Sequence, residues 1–341
     1  MSRRYPARAV SLAAVAVIGL GLAACSSSGG SSSPKSSSSS GSAASSGFSK
    51  KNLELVVGTK SDDFYITMEC GAEAEAKKLG AKLTVNGPAD FSVSEQTPIL
   101  NSVAATKPDA LLVAPTDAKA LDPELQRIQS AGTKIVFVDT SSSDTSLGVS
   151  RITSNNVGGG KIAADTLGEQ VGGKGTVAVI NVAPGISTTD ARIAGFNAEM
   201  KAKFPNVTVL GVQYDNDSSA TAASQVASDI AAHPNLAGVF ATNVLSAQGA
   251  ATGVQHAGKT GKVKVATFDA EPQQITFLKS NTIQLAVAQD PYAEGVDAVQ
   301  QGLNAANGKT VTPAIGTPLT AITPANVNSS GVQPFIYKSS C

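Results

Sequence analysis

The stretch KVKVATFDAEPQQ, residues 262–274, shows the pattern on which this chain is built. Its apolar, β-branched run ends at Asp269, and turn residues lead from there into a helical pattern. The stretch TKIVFVDTSSSD, residues 133–144, has the same arrangement and ends its apolar run at Asp139. A carboxylate at the end of a buried strand is unfavourable unless other groups satisfy it. The two aspartates therefore raise the question of what lies beside them.

Outward from these two stretches, the chain from residue 51 alternates short apolar runs with amphipathic helical patterns. The apolar runs include LELVVGT, DALLVAP, GTVAVINV and AGVFATN. Strand-like runs that alternate with helices indicate βαβ units and a parallel sheet. The runs are too many for one sheet, so the sequence predicts an α/β fold of two doubly wound parallel lobes, changing over near VSRITSNNVGGG (residues 149–160). Because ligands bind at the carboxyl ends of such strands, both aspartates are expected to face one cleft between the lobes.

The first 48 residues have the features of a targeting segment and a linker. Three arginines precede an apolar run of about 14 residues, which is the length of a signal-peptide core and short for a membrane span. The sequence LAAC, residues 22–25, resembles the lipobox of bacterial lipoproteins, which implies cleavage before Cys25 and lipidation of its thiol. The alternative is an ordinary secretory signal with a chance cysteine. Residues 1–24 are thus predicted as a lipoprotein signal peptide, and the Ser- and Gly-rich residues 25–48 as a flexible tether.

These segments predict a protein anchored by lipid to the cell membrane on its extracytoplasmic side. Without residues 1–24 the chain has 23 basic and 26 acidic residues, a net charge of −3, and no cluster of Lys and Arg that a nucleic-acid surface would require. No GxSxG, HExxH or CxxC pattern is present, so no enzymatic activity, metal site or cofactor is predicted.

With Cys25 assigned to the lipid, two cysteines remain, an even number in an oxidising compartment. Cys70 lies in a helical pattern whose buried stripe is predicted at Met68, Ala72, Ala76 and Leu79. Cys70 is off this stripe, and Cys341 is the last residue. A disulfide that joins the C-terminal tail to this helix is predicted, and two free thiols are the alternative.

Seven segments together carry a resemblance to a known family. In chain order they are DALLVAPTDAKAL, IVFVDT, SNNVGGGKIAADTL, ARIAGF, AHPNLAGVFATN, ATFDAEP and AVAQDPYAEG. Over roughly residues 51–320 the chain resembles the type I periplasmic binding proteins, in their ribose- and galactose-binding branch. The resemblance implies a solute-capturing component of an ABC importer, whose partners are the permease subunits in the membrane. It also implies a monomer of two hinged lobes that close over a sugar-like ligand without chemical reaction.

The resemblance also divides the chain into parts. It implies a first lobe of residues 49–154 plus about 290–321, a second lobe of residues 155–289, and a C-terminal tail of residues 322–341. The glycines of NVGGG, which do not fit the spacing of a phosphate-binding loop, are expected to allow close approach where the lobes meet.

Carried over position by position, the resemblance implies a ligand-binding set from both lobes. Its members are Asp62, Phe64, Tyr65, Asp139, Arg192, Asn243, Asp269 and Gln289. Carboxylates accept from hydroxyl pairs, arginine donates in a planar fork, amides do both, and an aromatic ring covers a C–H face.

Each assignment has a structural alternative. The two strand-end aspartates could cap the helices that follow them. Arg192 could be a surface helix residue, and the two aromatic residues Phe64 and Tyr65 could close the core of their lobe.

The departures from the family pattern bear on the ligand. Thr140 stands where sugar binders of this branch commonly have arginine, Asp62 occupies an amide position, and Asp217 lies about where a ring is expected. The protein has no Trp. These features favour a small or acyclic polyol, such as a four- or five-carbon sugar alcohol, or a pentose. A hexose, a different small polar solute, and a sensor that presents its liganded form to a membrane receptor are the alternatives.

Overall fold

Two β-sheets organise residues 50–341, the part of the chain that the computed structural model describes. The predictions for the signal peptide, for lipidation of Cys25 and for the tether concern residues outside this range. None of the helices within residues 50–341 is long and apolar enough to cross a membrane.

The first sheet has six strands, all parallel, in the spatial order β12-β5-β4-β3-β1-β2. Its strands are β1 (Asn52–Val56), β2 (Lys82–Asn86), β3 (Ala110–Val113), β4 (Lys134–Val138), β5 (Ser150–Ser154) and β12 (Ala314–Thr317). The central strand β3 is buried along its whole length, because helices cover both faces of the sheet.

The second sheet has the order β13-β11-β10-β9-β6-β7, and a short further strand, β8, also pairs with β6. Its strands are β6 (Gly175–Asn181), β7 (Val207–Val209), β8 (Gln213–Tyr214), β9 (Leu236–Ala241), β10 (Lys264–Phe268), β11 (Leu285–Ala288) and β13 (Thr320–Ile322). All pairs are parallel except β11 with β13. The α/β fold of two parallel lobes is therefore confirmed.

The helices connect successive strands. They are α1 (Asp63–Leu79), α2 (Val93–Thr106), α3 (Asp122–Ser130), α4 (Asn156–Gln170), α5 (Ser187–Lys203), α6 (Ser219–Ala232), α7 (Val244–His256), α8 (Pro272–Lys279) and α9 (Pro291–Ala306). Local chemistry sets their ends. For α1, the Asp62 carboxylate accepts from the backbone N–H of Phe64, and Gly80 ends the helix in the left-handed conformation at φ 72°.

The chain passes between the two sheets three times: after β5, after β11, and between β12 and β13. Helix α9 returns to the first sheet and lies so close to α1 that a Cβ at Gly295 would sit 2.1 Å from the carbonyl oxygen of Met68. The last crossing lies between Thr317, where β12 ends, and Thr320, where β13 begins. It therefore comes before residue 321, near which the first lobe was expected to end. Pro318, which has no N–H for a sheet, follows β12, and β13 then pairs with β11.

A disulfide joins Cys70 of α1 to Cys341, as predicted, and closes a sequence separation of 271 residues. Cys70 is only 6% exposed although it lies off the predicted buried stripe. The C-terminal tail contacts this part of α1, so the tertiary structure buries a position that the helical pattern places at the surface.

Candidate functional site

Residues that follow strands of both sheets line one cavity. The space inside it that protein atoms do not fill is about 450 Å³, solvent at the mouth included. The structure brings all of the side chains selected from the sequence to this cavity: Asp62, Phe64, Tyr65, Asp139, Arg192, Asn243, Asp269 and Gln289. A larger outer region of about 1120 Å³ adjoins it and shares Asp62 and Asp217 with it.

The two strand-end aspartates have the same unusual backbone. Asp139 follows β4 with φ 63°, and Asp269 follows β10 with φ 75°. Each still donates its backbone N–H to the neighbouring strand, Asp139 to the Ile152 oxygen at 2.8 Å and Asp269 to the Val287 oxygen at 2.9 Å. Aspartate tolerates the left-handed region better than most residues, and non-glycine residues held there cluster at functional sites. The sheet pairing thus continues to the turn while the carboxylate lies at the cavity.

Asp139 is 6% exposed and accepts a hydrogen bond from the Tyr65 hydroxyl at 2.7 Å. Burial raises the pKa of Asp139 to about 6, because a carboxylate away from water disfavours its charged form. The charge of Arg192 and the Tyr65 hydrogen bond oppose this rise.

Asp269 is 3% exposed and has more partners. Its Oδ1 accepts from Gln289 Nε2 at 2.7 Å and from the Tyr337 hydroxyl at 2.9 Å, while Oδ2 lies 4.0 Å from Arg192 Nη1. Burial raises the pKa of Asp269, and the Arg192 charge and the two hydrogen bonds oppose the rise. The sequence did not indicate Tyr337, because it lies in the tail, far from any segment of the family pattern.

The capping alternative does not describe these aspartates. Helix α8, the first after Asp269, has Glu271 as its N-cap, and no helix begins after Asp139 until Asn156. The backbone N–H of Val244, at the start of α7, acts to lower the pKa of Asp269. The helix end that acts on this carboxylate therefore belongs to a helix that precedes it in the chain.

Arg192 lies on α5 and is 3% exposed, so the surface alternative for this residue is wrong. Its Nε donates to Asn156 Oδ1 and its Nη1 to the Thr242 carbonyl, both at 2.8 Å. The guanidinium also lies over the Phe268 ring, 4.0 Å from its centroid. These contacts hold the charge in one place beside both aspartates.

The glycines of NVGGG help to set this geometry. A Cβ at Gly160 would lie 2.0 Å from the carbonyl oxygen of Arg192, so only glycine lets α4 approach α5 so closely there. The expectation that these glycines serve the meeting of the two lobes is therefore corrected at Gly160: the close contact joins two helices of the second lobe.

Aromatic side chains form the first-lobe wall. Phe64 and Tyr65 are 4% and 5% exposed, line the cavity and also belong to the core, so the core alternative holds for both, and their contact with a ligand stays a prediction. Phe91, which the sequence did not single out, lines the same cavity. A Cβ at Gly58 would lie 2.4 Å from the Tyr65 hydroxyl and 2.5 Å from the Phe91 ring, so a glycine is required between the two.

Asp62, Asp217 and Asn243 complete the polar lining. Burial and then the Asp269 charge raise the pKa of Asp62 well above its usual value. Burial also raises the pKa of Asp217, which accepts from Asn243 Nδ2 at 2.8 Å. Asn243 in turn caps α7 by accepting from the N–H of Ser246. Asp217 thus lies at the cavity, at the position where the family pattern led us to expect a ring.

The cavity has an excess of acceptors over donors. Four carboxylates and one guanidinium line it. Within residues 50–341, two buried lining atoms, Gln289 Oε1 and Thr189 Oγ1, have no hydrogen-bond partner. Buried acceptors are normally paired, so the lining suits a solute rich in hydroxyl donors. In the described residues no group of three or more His, Cys, Asp or Glu side chains is arranged to hold a metal ion.

Comparisons with known proteins agree with this architecture. A family model of the periplasmic binding protein domain matches residues 53–310. The ribose import binding protein of Bacillus subtilis is 29% identical over 275 residues, which cover 80% of this chain and 88% of that protein. The ribose import binding protein of Salmonella typhimurium is 30% identical over 260 residues, covering 75% and 84%.

Solved structures are similar over nearly the same range. An ABC transporter solute-binding protein of Agrobacterium vitis, bound with α-D-tagatopyranose, has a TM-score of 0.83 and 42% identity, covering 85% of this chain and 100% of that one. A carbohydrate transporter solute-binding protein of Agrobacterium radiobacter, in complex with D-arabinose, has a TM-score of 0.80 and 28% identity, covering 84% and 98%.

Proposed function

This chain belongs to the periplasmic binding protein family, and from that premise we propose that it captures a small sugar or sugar alcohol for an ABC importer. The solute binds in the cavity between the lobes and is delivered to the permease subunits in the membrane. The family consists of transport components, and the protein makes or breaks no bond in its ligand.

The observation that carries this proposal is the meeting of the selected side chains at one cavity. Carboxylates there accept from hydroxyl groups, the Arg192 fork and the Gln289 and Asn243 amides supply donors, and aromatic rings cover C–H faces. A small polyhydroxylated solute satisfies all three kinds of group at once.

We infer that capture proceeds by closure. Solute entering an open cleft contacts groups of one lobe first, and contacts from the other lobe are made only when the cleft closes. Because Arg192, Asn243 and Asp269 lie in the second lobe, they favour the closed state through ligand contacts that the open state lacks. The closed form then offers a surface from both lobes to the permease.

For the ligand class, we propose a tetritol, a pentitol or a pentose as the favoured solutes. Thr140 and the four cavity carboxylates support small polyols, because they offer many acceptors and few competing donors. Phe91 adds a ring that can cover a sugar face. Cyclic sugars such as ribose, arabinose and tagatose, which the similar proteins are named for or bound to, therefore belong in the same screen.

We further propose that the protein is held at the extracytoplasmic face of the membrane by lipid on Cys25. The LAAC sequence and the Ser- and Gly-rich residues 26–48 support this placement. Cys25→Ser should move the protein from the membrane fraction to the soluble fraction, whereas Ser26→Ala should not. Retention of the Cys25→Ser protein in the membrane fraction would contradict lipid anchoring at this residue.

A thermal-shift screen of residues 26–341 tests the solute class. The panel contains D-ribose, D-arabinose, D-tagatose, D-allose, erythritol and ribitol, with amino acids as controls. A ligand that binds only the folded state stabilises it by mass action and so raises the melting temperature. At a ligand concentration of one hundred times the Kd, the free energy of unfolding increases by about 2.7 kcal/mol. A shift with sugars or alditols supports the proposal. The proposal is refuted if only the amino acids raise the melting temperature, or if no member of the panel does.

A further inference from the structure

The C-terminal strap, residues 336–341, contacts both lobes within consecutive residues. It follows a single 3₁₀ turn, Gln333–Phe335, and lies beyond residues 53–310, which the family model matches. The family match therefore assigns the strap no role, and its own contacts are the evidence for one.

Tyr337 connects the strap to the second lobe through three hydrogen bonds. Its backbone N–H donates to the Ala270 oxygen at 3.0 Å, and its hydroxyl donates to Asp269 Oδ1 at 2.9 Å. The hydroxyl also accepts from the Gln289 backbone N–H at 3.2 Å. Tyr337 is 3% exposed, so these bonds are shielded from water. Asp269 and Gln289 both line the cavity, and Tyr337 does not.

The next residues connect the strap to α1 of the first lobe. The Lys338 N–H donates to Thr67 Oγ1 at 2.7 Å, and the Ser339 hydroxyl donates to Asp63 Oδ2 at 3.0 Å. Cys341 is bonded to Cys70. The same helix carries Phe64 into the cavity lining, and the Phe64 ring meets the Tyr337 ring edge-on at 5.7 Å.

We propose that the strap contributes to ligand binding by positioning Asp269 through Tyr337. The Cys70–Cys341 disulfide, on the opposite lobe, holds Tyr337 in place. This inference rests on the proposed function, because it assigns a role at the same cavity. The strap acts as a fourth link between the lobes, in addition to the three chain crossings.

The geometry explains how a residue outside the cavity acts on it. Gln289 and Tyr337 both donate to Oδ1 of Asp269, which fixes the rotation of the carboxylate and leaves Oδ2 on the side of Arg192. Tyr337 is thus a positioning residue, which affects ligand binding only through its hydrogen bond to Asp269. A group held by two hydrogen bonds loses less freedom on binding than a free one.

Several charged groups act on Asp269 and enter any pH experiment. They are Arg192, Asp62, Asp139, Asp217 and Glu271. The Tyr337 hydrogen bond lowers the pKa of Asp269 against the rise that burial causes. Without the hydroxyl, that pKa rises further, so binding that needs the carboxylate is lost at a higher pH.

The first test compares Tyr337→Phe with Tyr214→Phe, a change at an exposed tyrosine of β8. Binding of D-ribose, a pentose of the favoured class, and of D-tagatose to the mature chain is measured by calorimetry across a pH series. Tyr337→Phe should weaken binding about tenfold at neutral pH. It should also move the acid midpoint of binding to higher pH, and Tyr214→Phe should do neither. An unchanged Kd, or a weaker one with the midpoint unmoved, overturns the positioning role.

The second test needs no ligand. Hydrogen exchange of the Cys341→Ser protein should quicken at residues 268–271 and 287–290 of the second lobe, which Cys341 does not touch. Faster exchange confined to the strap and α1 overturns the link between lobes. If no sugar or alditol binds the unaltered protein, the proposed function fails, while this exchange experiment still decides whether the strap couples the lobes.

Discussion

Asp139 at the end of β4 and Asp269 at the end of β10 have the same backbone conformation, and each accepts a hydrogen bond from a tyrosine hydroxyl. The tyrosines have different origins. Tyr65 lies on α1, beside the sheet that carries Asp139, whereas Tyr337 comes from the last five residues of the chain and is followed by the disulfide.

The difference shows two ways to satisfy a buried carboxylate. The first-lobe aspartate relies on its own lobe, whose folding alone brings Tyr65 to it. The second-lobe aspartate relies on Gln289, on Arg192 nearby and on a segment fastened to the other lobe. Substitutions in the C-terminal tail should therefore alter the cavity at Asp269 and leave Asp139 little affected.

The largest expected effect comes from breaking the fastening of the tail. Cys70→Ser with Cys341→Ser should lower the free energy of unfolding by about 4 kcal/mol, because the disulfide restricts the unfolded chain over 271 residues. The melting temperature should fall by roughly 7 °C. Thermal unfolding with and without reductant measures this. A reduced protein with an unchanged melting temperature would contradict it, and each single serine variant should match the double one.

The next effect separates the two aspartates. Asp269→Asn should weaken ligand binding about a hundredfold, and Asp139→Asn about tenfold. The loss is larger at Asp269 because Arg192 Nη1, 4.0 Å away, then lies buried without that charge. Calorimetry at neutral pH, with circular dichroism as a check of folding, gives both values. A reversed order would show that the stronger support of Asp269 has no bearing on binding.

A smaller effect sharpens the pairing of each aspartate with its tyrosine. Tyr337→Phe combined with Asp269→Asn should show a coupling energy of about 1 kcal/mol in ligand binding, and so should Tyr65→Phe combined with Asp139→Asn. The crossed pair, Tyr337→Phe with Asp139→Asn, should be additive within about 0.5 kcal/mol. Equal coupling in matched and crossed pairs would mean that the two aspartates act as one unit.

The smallest effect concerns the stability of the ligand-free protein. The pKa of Asp139 is raised from 3.8 to about 6 in the folded state, so between these values the folded protein binds more protons than the unfolded one. Stability therefore falls as pH rises through this window. Asp139→Asn should make the fall in stability between pH 4 and pH 7 smaller, measured by urea unfolding at both pH values. If the free energy of unfolding of the variant depends on pH as in the unaltered protein, Asp139 is not the group responsible for the fall.

Much of the site was open to prediction because the family pattern places its residues next to strand ends. Asp62, Asp139, Asn243, Asp269 and Gln289 each follow an apolar run, and the carboxyl ends of parallel strands form one edge of a sheet. Their convergence on a cavity is observed, while contact with a ligand stays a prediction.

The residues that sequence reasoning missed have no such position. Phe91 lies in the loop before α2, and Thr189 lies in the first turn of α5 without any motif of its own. The close approach of Gly58 to the Phe91 ring joins distant positions of the chain and is visible only in the structure. Arg192 was selected correctly, but its burial against Phe268 depends on the approach of α4 to α5 and is not visible in a helical pattern.

The sequence by itself determined the alternating strands and helices, the division into two lobes and the two strand-end aspartates, because these follow from local periodicity and from the number of apolar runs. It predicted the pairing of Cys70 with Cys341 while leaving free thiols as the alternative, and the family resemblance supplied the other cavity residues. The tertiary structure alone decided that Tyr337 holds Asp269 and that Asp139 is held by Tyr65. Hydrogen bonds between residues about 70 positions apart depend on how helices and tail settle against the sheets, and nothing in the local pattern specifies that arrangement.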